Sequence, residues 1–156
     1  MNTSHVFSRG WLLLLLANIL VPVTLGAQSA DQDVQQDADI IYEALDNYVK
    51  GWMSKDASLM VKDYAYNLHW VTPQGKMVYT KDKLQAYFEE WFAANPDFNP
   101  PFPSLSHQIT YLDEKLGIVQ SMETAKGEKK FHLRVLYKEG DAWKITNHLT
   151  QTPLSD

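Results

Sequence analysis

The chain has no cysteine among its 156 residues, which excludes disulfides, a lipid-modified cysteine anchor and thiolate chemistry. Whatever it folds into must be held by packing alone. Basic clusters are missing as well: 14 Lys and Arg stand against 19 Asp and Glu, for a net charge of −5. No run is dense enough to track a phosphate backbone, and "KGEKK" (Lys126 to Lys130) reads as a solvated hairpin end, so nucleic acid is not an expected partner. There is no internal repeat and no glycine-rich phosphate loop. The longest apolar stretch, "WLLLLLANILVPV", is too short to span a bilayer as a helix. What is present is ordinary for a globular domain: 45% apolar, 21% charged and 12% aromatic residues, enough to form a packed core in a chain long enough for one domain.

The N-terminus reads as a leader. Arg9 precedes the apolar stretch, and the small residues of "TLGAQSA" follow Pro22. A basic start, an apolar middle and a small-residue exit describe a secretory signal peptide over residues 1–27, cleaved after Gly26 or Ala27. The mature chain, residues 28–156, is then a single domain with no membrane contact after leader removal. A cysteine-free exported domain suits a periplasm or the cell exterior.

Periodicity orders the rest. Ile40, Ile41, Ala44, Leu45, Tyr48, Val49 and Trp52 fall on one helical face, with Gly51 weakening its end. A short helix starts after the N-cap Asp56, with Leu59 and Met60 inward. "NLHWVTPQGKMVYT" is strand, turn and short strand. A third helix begins near Lys81, capped by Thr80, and shows an aromatic face of Leu84, Tyr87, Phe88, Trp91 and Phe92 that reads as core. It ends at Asn95-Pro96. "NPDFNPPFPS" is a rigid loop. From Leu105 onward, four strands are separated by "DEK", "KGE" and "EGD". Segregated helices and an antiparallel meander mean α+β.

The last hairpin carries the candidate site. With a loop of Glu139-Gly140-Asp141, Tyr137 faces Trp143 and Val135 faces Ile145, pairs that favour that register. Arg134 then faces Thr146 and His132 faces His148, so a polar patch forms on one face of the hairpin. His69 shares a face with Asn67 and Val71, and Trp70 one with Leu68; both are candidates for the cavity mouth. His107 reads as a core or rim histidine. The strand histidines show no metal-ligand spacing, and no cofactor is expected. Glu123 is the one mid-strand carboxylate and is expected to pair with Arg134 or Lys130. Asp63 reads as a solvated helix end.

This order of elements resembles the nuclear transport factor 2-like superfamily. The likeness lies in "YVKGWMSKDASLMVKDYA", "VTPQGKMVYTKDKLQAYF" and "FHLRVLYKEGDAWKITNHLTQTP", and spans the mature chain from Asp31 to Pro153. It is similar above all to bacterial SnoaL-like and ketosteroid-isomerase-like proteins and to the calcium/calmodulin-dependent kinase association domain. The resemblance implies a cone-shaped, curved antiparallel sheet packed on a long N-terminal helix and two shorter ones, a cystatin-like α+β roll. It also implies that His132, Arg134, Thr146, His148 and Thr150 line a cavity. The other face, with Tyr137, Trp143 and Ile145, would form a homodimer. The sequence departs from many bacterial relatives in placing Asn147 and Leu149 where those have histidines, on the opposite face from His148.

Three functions remain open. The first is binding of a small polar or anionic molecule by Arg134, His132, His148, Thr146, Trp70 and His69. The second is an isomerase, dehydratase or cyclase acting on a small carbonyl compound, with His148 or His132 as base, Arg134 stabilising an oxyanion and Tyr64 or Tyr66 as proton donor. The third is a dimeric assembly module without catalysis.

Overall fold

The computed structural model describes residues 24–152 apart from Pro73, with side chains from Asp33 onward. Residues 1–23, the greater part of the expected leader, lie outside the described residues. The chain divides into two compact units, residues 1–36 and 37–156; the packing below concerns the second.

The first helix, α1, runs from Thr24 to Ser54, well before the apolar periodicity begins at Ile40. The polar stretch before Ile40 is rich in Ala and Gln and free of Gly and Pro from Ala27 to Lys50, so helix propensity favours it. Among the described residues, no helix is long and apolar enough to cross a membrane. At the far end of α1, Gly51 permits a close approach. A Cβ there would lie 2.6 Å from the Met60 amide nitrogen and 2.7 Å from the Asp56 carbonyl oxygen. The short helix α2 (Ala57–Val61) is capped by Asp56, whose carboxylate accepts from the Leu59 N–H. Met60 and Val61 are buried, and Leu59 is half-buried.

Strand β1 (Tyr64–Val71), strand β2 (Met77–Thr80) and helix α3 (Lys81–Ala94) follow. Thr80 caps α3 by accepting from the Lys83 N–H, and the helix stops at Asn95 before Pro96. Strands β3 (Ser104–Tyr111), β4 (Leu116–Ala125), β5 (Glu128–Glu139) and β6 (Ala142–Gln151) form the meander. The six strands make one sheet in the order β2-β1-β6-β5-β4-β3. The class is α+β, as the segregation of elements implied. One pair corrects the expectation of a wholly antiparallel sheet: β1 and β6 run parallel. A long crossover through α3 and the meander separates them, and such a crossover permits parallel neighbours where a hairpin does not.

The β5–β6 hairpin holds a second correction. Glu139 pairs with Ala142, so the loop is the two residues Gly140 and Asp141, with Gly140 at φ 61°. Lys138 therefore faces Trp143 and Leu136 faces Ile145. The register then shifts between Val135 and Leu136, because Thr146 is an extra residue on β6; beyond it Arg134 faces His148 and His132 faces Thr150. The shorter loop turns Trp143 and Ile145 inward, and the bulge keeps His148 and Thr150 there too. Trp143 and Ile145 are each 1% exposed in the core. They do not belong to the outer face on which a dimer contact with Tyr137 was expected; of the three, Tyr137 alone is exposed. Around them pack Ile41, Leu45, Met60, Val61, Leu68, Leu84, Phe88, Val119 and Leu136.

Candidate ligand-binding site

Helices α1 and α3 and the inner face of the sheet border a half-open cavity of about 240 Å³. Its helical wall is aromatic. Tyr48 and Trp52 come from α1, and Tyr87, Phe88 and Trp91 from α3, with Trp70 facing them from β1. The wide aromatic face of α3 serves two purposes: Leu84, Phe88 and Phe92 are buried in the core, while half-buried Tyr87 and Trp91 turn to the cavity. Trp52 stacks with Trp91 at a ring-centroid distance of 5.1 Å and packs edge-on to Phe98 of the proline-rich loop. The opposite end is polar, formed by Glu123, Lys130, His132 and Thr150.

Behind that polar end, four side chains from four strands form a continuous hydrogen-bond chain. Glu123 Oε2 lies 3.1 Å from His132 Nε2, His132 Nδ1 lies 3.0 Å from His148 Nε2, and His148 Nδ1 lies 2.5 Å from the Tyr64 hydroxyl. Thr150 Oγ1 sits beside the middle link, 3.3 Å from His132 Nδ1 and 3.2 Å from His148 Nε2. Electrostatics fixes the direction of every proton in the chain. Burial raises the Tyr64 hydroxyl to about 12, with Arg134 opposing, so Tyr64 stays protonated. For Glu123 burial works upward, but the His132 hydrogen bond and the charges of Lys130 and Arg134 outweigh it and hold the carboxyl below its usual range. Burial depresses His148 strongly and His132 less, with Arg134 pushing both the same way and Glu123 partly restoring His132. Two neutral imidazoles between a hydroxyl and a carboxylate have one consistent arrangement. Tyr64 donates to His148 Nδ1, His148 Nε2–H donates to His132 Nδ1, and His132 Nε2–H donates to Glu123.

Arg134 is 4% exposed and stands behind the cavity wall. Its Nη1 donates to Ser121 Oγ at 3.1 Å, its guanidinium lies 5.5 Å from the Tyr48 ring centroid, and its Nε has no partner. Among the described residues no carboxylate lies within ion-pair distance of it. It supplies positive potential to the site from behind the wall. His107 accompanies this group, 2.8 Å from Ser121 Oγ, and burial lowers it.

Of the residues singled out in sequence, His132, His148, Arg134, Thr150, Trp70 and Tyr64 are gathered at or directly behind the cavity. His69 and Thr146 are not. They line a separate hollow on the outer face with Asn67, Tyr79 and Asn147, where His69 Nδ1 is 3.4 Å from the Asn147 amide. The Thr146 hydroxyl donates to the Val135 carbonyl at 3.2 Å, which is its role in the bulge. Tyr66 is 63% exposed, and Asp63 accepts from the Asn47 amide at 2.8 Å. Glu123 pairs with Lys130 at 3.7 Å, as expected from their strands. Its place at the cavity was not read from the sequence, although its isolation as a mid-strand carboxylate was the available signal. Among the described residues, no group of three or more His, Cys, Asp or Glu is placed to hold a metal ion.

No family model matches the chain, and no curated protein matches it. Solved structures do. An NTF2-like protein with a cystatin-like fold from Novosphingobium aromaticivorans superposes with a TM-score of 0.71 at 10% identity, over 87% of this chain and 94% of that one. A cystatin-like domain of unknown function from Nostoc punctiforme gives 0.65 at 13% identity, over 76% and 78%. A protein from Xanthomonas campestris likened to the calcium/calmodulin-dependent protein kinase II association domain gives 0.56 at 13%, over 74% and 87%. The nuclear transport factor 2-like fold suspected from the order of elements is the fold of this chain.

Proposed function

We propose that the protein is an exported binding domain that holds a small molecule with a flat apolar body and a polar end in its aromatic cavity. One observation carries this reading: a 240 Å³ space walled by aromatic rings and closed at one end by Glu123, Lys130, His132 and Thr150. Apolar walls with a few convergent polar groups are what a small-molecule site requires, and the volume suits a ligand smaller than a drug-sized one. An assembly module has no use for an unfilled cavity of this composition. Catalysis by a histidine base is disfavoured because both ring nitrogens of His132 and of His148 are engaged within the protein, leaving neither a lone pair for a substrate proton. Glu123 borders the cavity, but a carboxylate held below its usual range is a weak base. Export is supported by the leader composition of residues 1–27.

The test uses protein expressed from the full chain and recovered from the periplasm or medium. Its N-terminus should fall at Ala27 or Gln28, and a screen of small aromatic and cyclic compounds should find one that raises Tm with concentration. Trp91→Ala, on the cavity wall, should abolish that shift while the protein stays folded. A broad screen without any shift sinks the binding reading.

A further inference from the structure

Glu123 and Lys130 face each other across β4 and β5 at the polar end of the cavity. Their closest approach, Glu123 Oε1 to Lys130 Nζ, is 3.7 Å, too long for a hydrogen bond. The other carboxylate oxygen is held by His132, so the carboxylate plane is fixed from behind. His132 and Thr150 spend their polar capacity within the chain that ends on Tyr64. The cavity therefore offers a free acceptor, Glu123 Oε1, side by side with a free donor group, the Lys130 ammonium, which is a third exposed.

On the premise that the aromatic cavity holds a ligand, we propose that its polar end recognises a neutral planar molecule carrying an N–H donor beside a carbonyl acceptor, that is, an aromatic carboxamide or cyclic amide. The N–H donates to Glu123 Oε1 and the carbonyl accepts from Lys130, while the ring lies among Tyr48, Trp52 and Trp91. An acid gains Lys130 but meets the Glu123 carboxylate. An amine gains Glu123 but meets Lys130, with the buried Arg134 charge behind. Either ion also gives up far more hydration on entering the cavity than the neutral amide does.

Isothermal titration of the exported, purified protein with naphthamide, naphthoate and naphthylmethylamine tests this. The amide should bind about tenfold more tightly than the acid or the amine. Glu123→Gln, by removing the negative member of the pair, should move the preference to naphthoate. Lys130→Met should move it to the amine, and serves if Glu123→Gln fails to fold. Naphthoate binding as tightly as naphthamide, or either folded variant keeping the original order, overturns the amide assignment and leaves the binding cavity standing. No heat from any of the three, while other ring compounds raise Tm, overturns it too. No binding by any ring compound overturns the cavity reading itself.

Discussion

Two hollows lie on opposite faces of the same sheet: the inner one is lined by His132 of β5, backed by His148 of β6, and the outer one by His69 of β1 beside Asn147 of β6. On the inner face, His148 is 1% exposed and bonded at both nitrogens. One residue earlier on β6, Asn147 points outward to exposed His69 and its edge-on neighbour Tyr79. Residue type does not separate the two sites. Burial does: the inner histidines must remain neutral and fully partnered, because an unpaired polar group costs far more there than in water. The outer group can exchange its partners for solvent.

The sharpest way to break this contrast is to delete Thr146. The bulge is all that sends Asn147 and Leu149 outward and His148 and Thr150 inward. Without it the end of β6 reverses its faces, turning His148 and Thr150 outward and breaking the four-residue chain. Loss of cooperative folding is expected in urea denaturation followed by near-ultraviolet circular dichroism. A smaller break is His148→Ala, which opens a void and strips both Tyr64 and His132 of a partner. It should cost about 3 kcal/mol in the same denaturation experiment. His69→Ala, on the outer face, should stay within about 0.5 kcal/mol of the parent.

The smallest effect is in acid. His148, His132 and His107 all have folded-state values below 6.5 because of burial, so the unfolded chain binds protons first as pH falls. Stability is then full above about 6.5 and declines below it; loss of the depressed Glu123 carboxylate adds to the decline further down. Differential scanning calorimetry between pH 8 and pH 5 should show Tm falling. His148→Gln should flatten that slope. A slope unchanged in that variant would place the sensitive group elsewhere.

Much of this arrangement was legible in the residues. The caps Asp56 and Thr80, the stop at Asn95-Pro96 and the four meander strands are local signals, and local physics decided them. Three features were not legible. The start of α1 has no apolar period to announce it. The loop at Gly140-Asp141 is one residue shorter than the turn chemistry indicated, and the bulge at Thr146 cannot be read from alternation; together they relocated Trp143 and Ile145 while leaving His148 where it was expected. The site meaning of Glu123 depends on α1 and α3 closing over it, and strand alternation carries no information about that.

Gly51 bears on all of this from a distance. Its missing methyl group lets α1 rest against the backbone of the Asp56–Met60 turn, and the very next residue is Trp52, on the cavity wall. The seat of α1 against α2 is thus set by an atom the chain does not have. Any side chain at position 51 would act as a spacer that lifts this wall, so the width of the ligand slot and the tolerance of one glycine are a single inherited dimension.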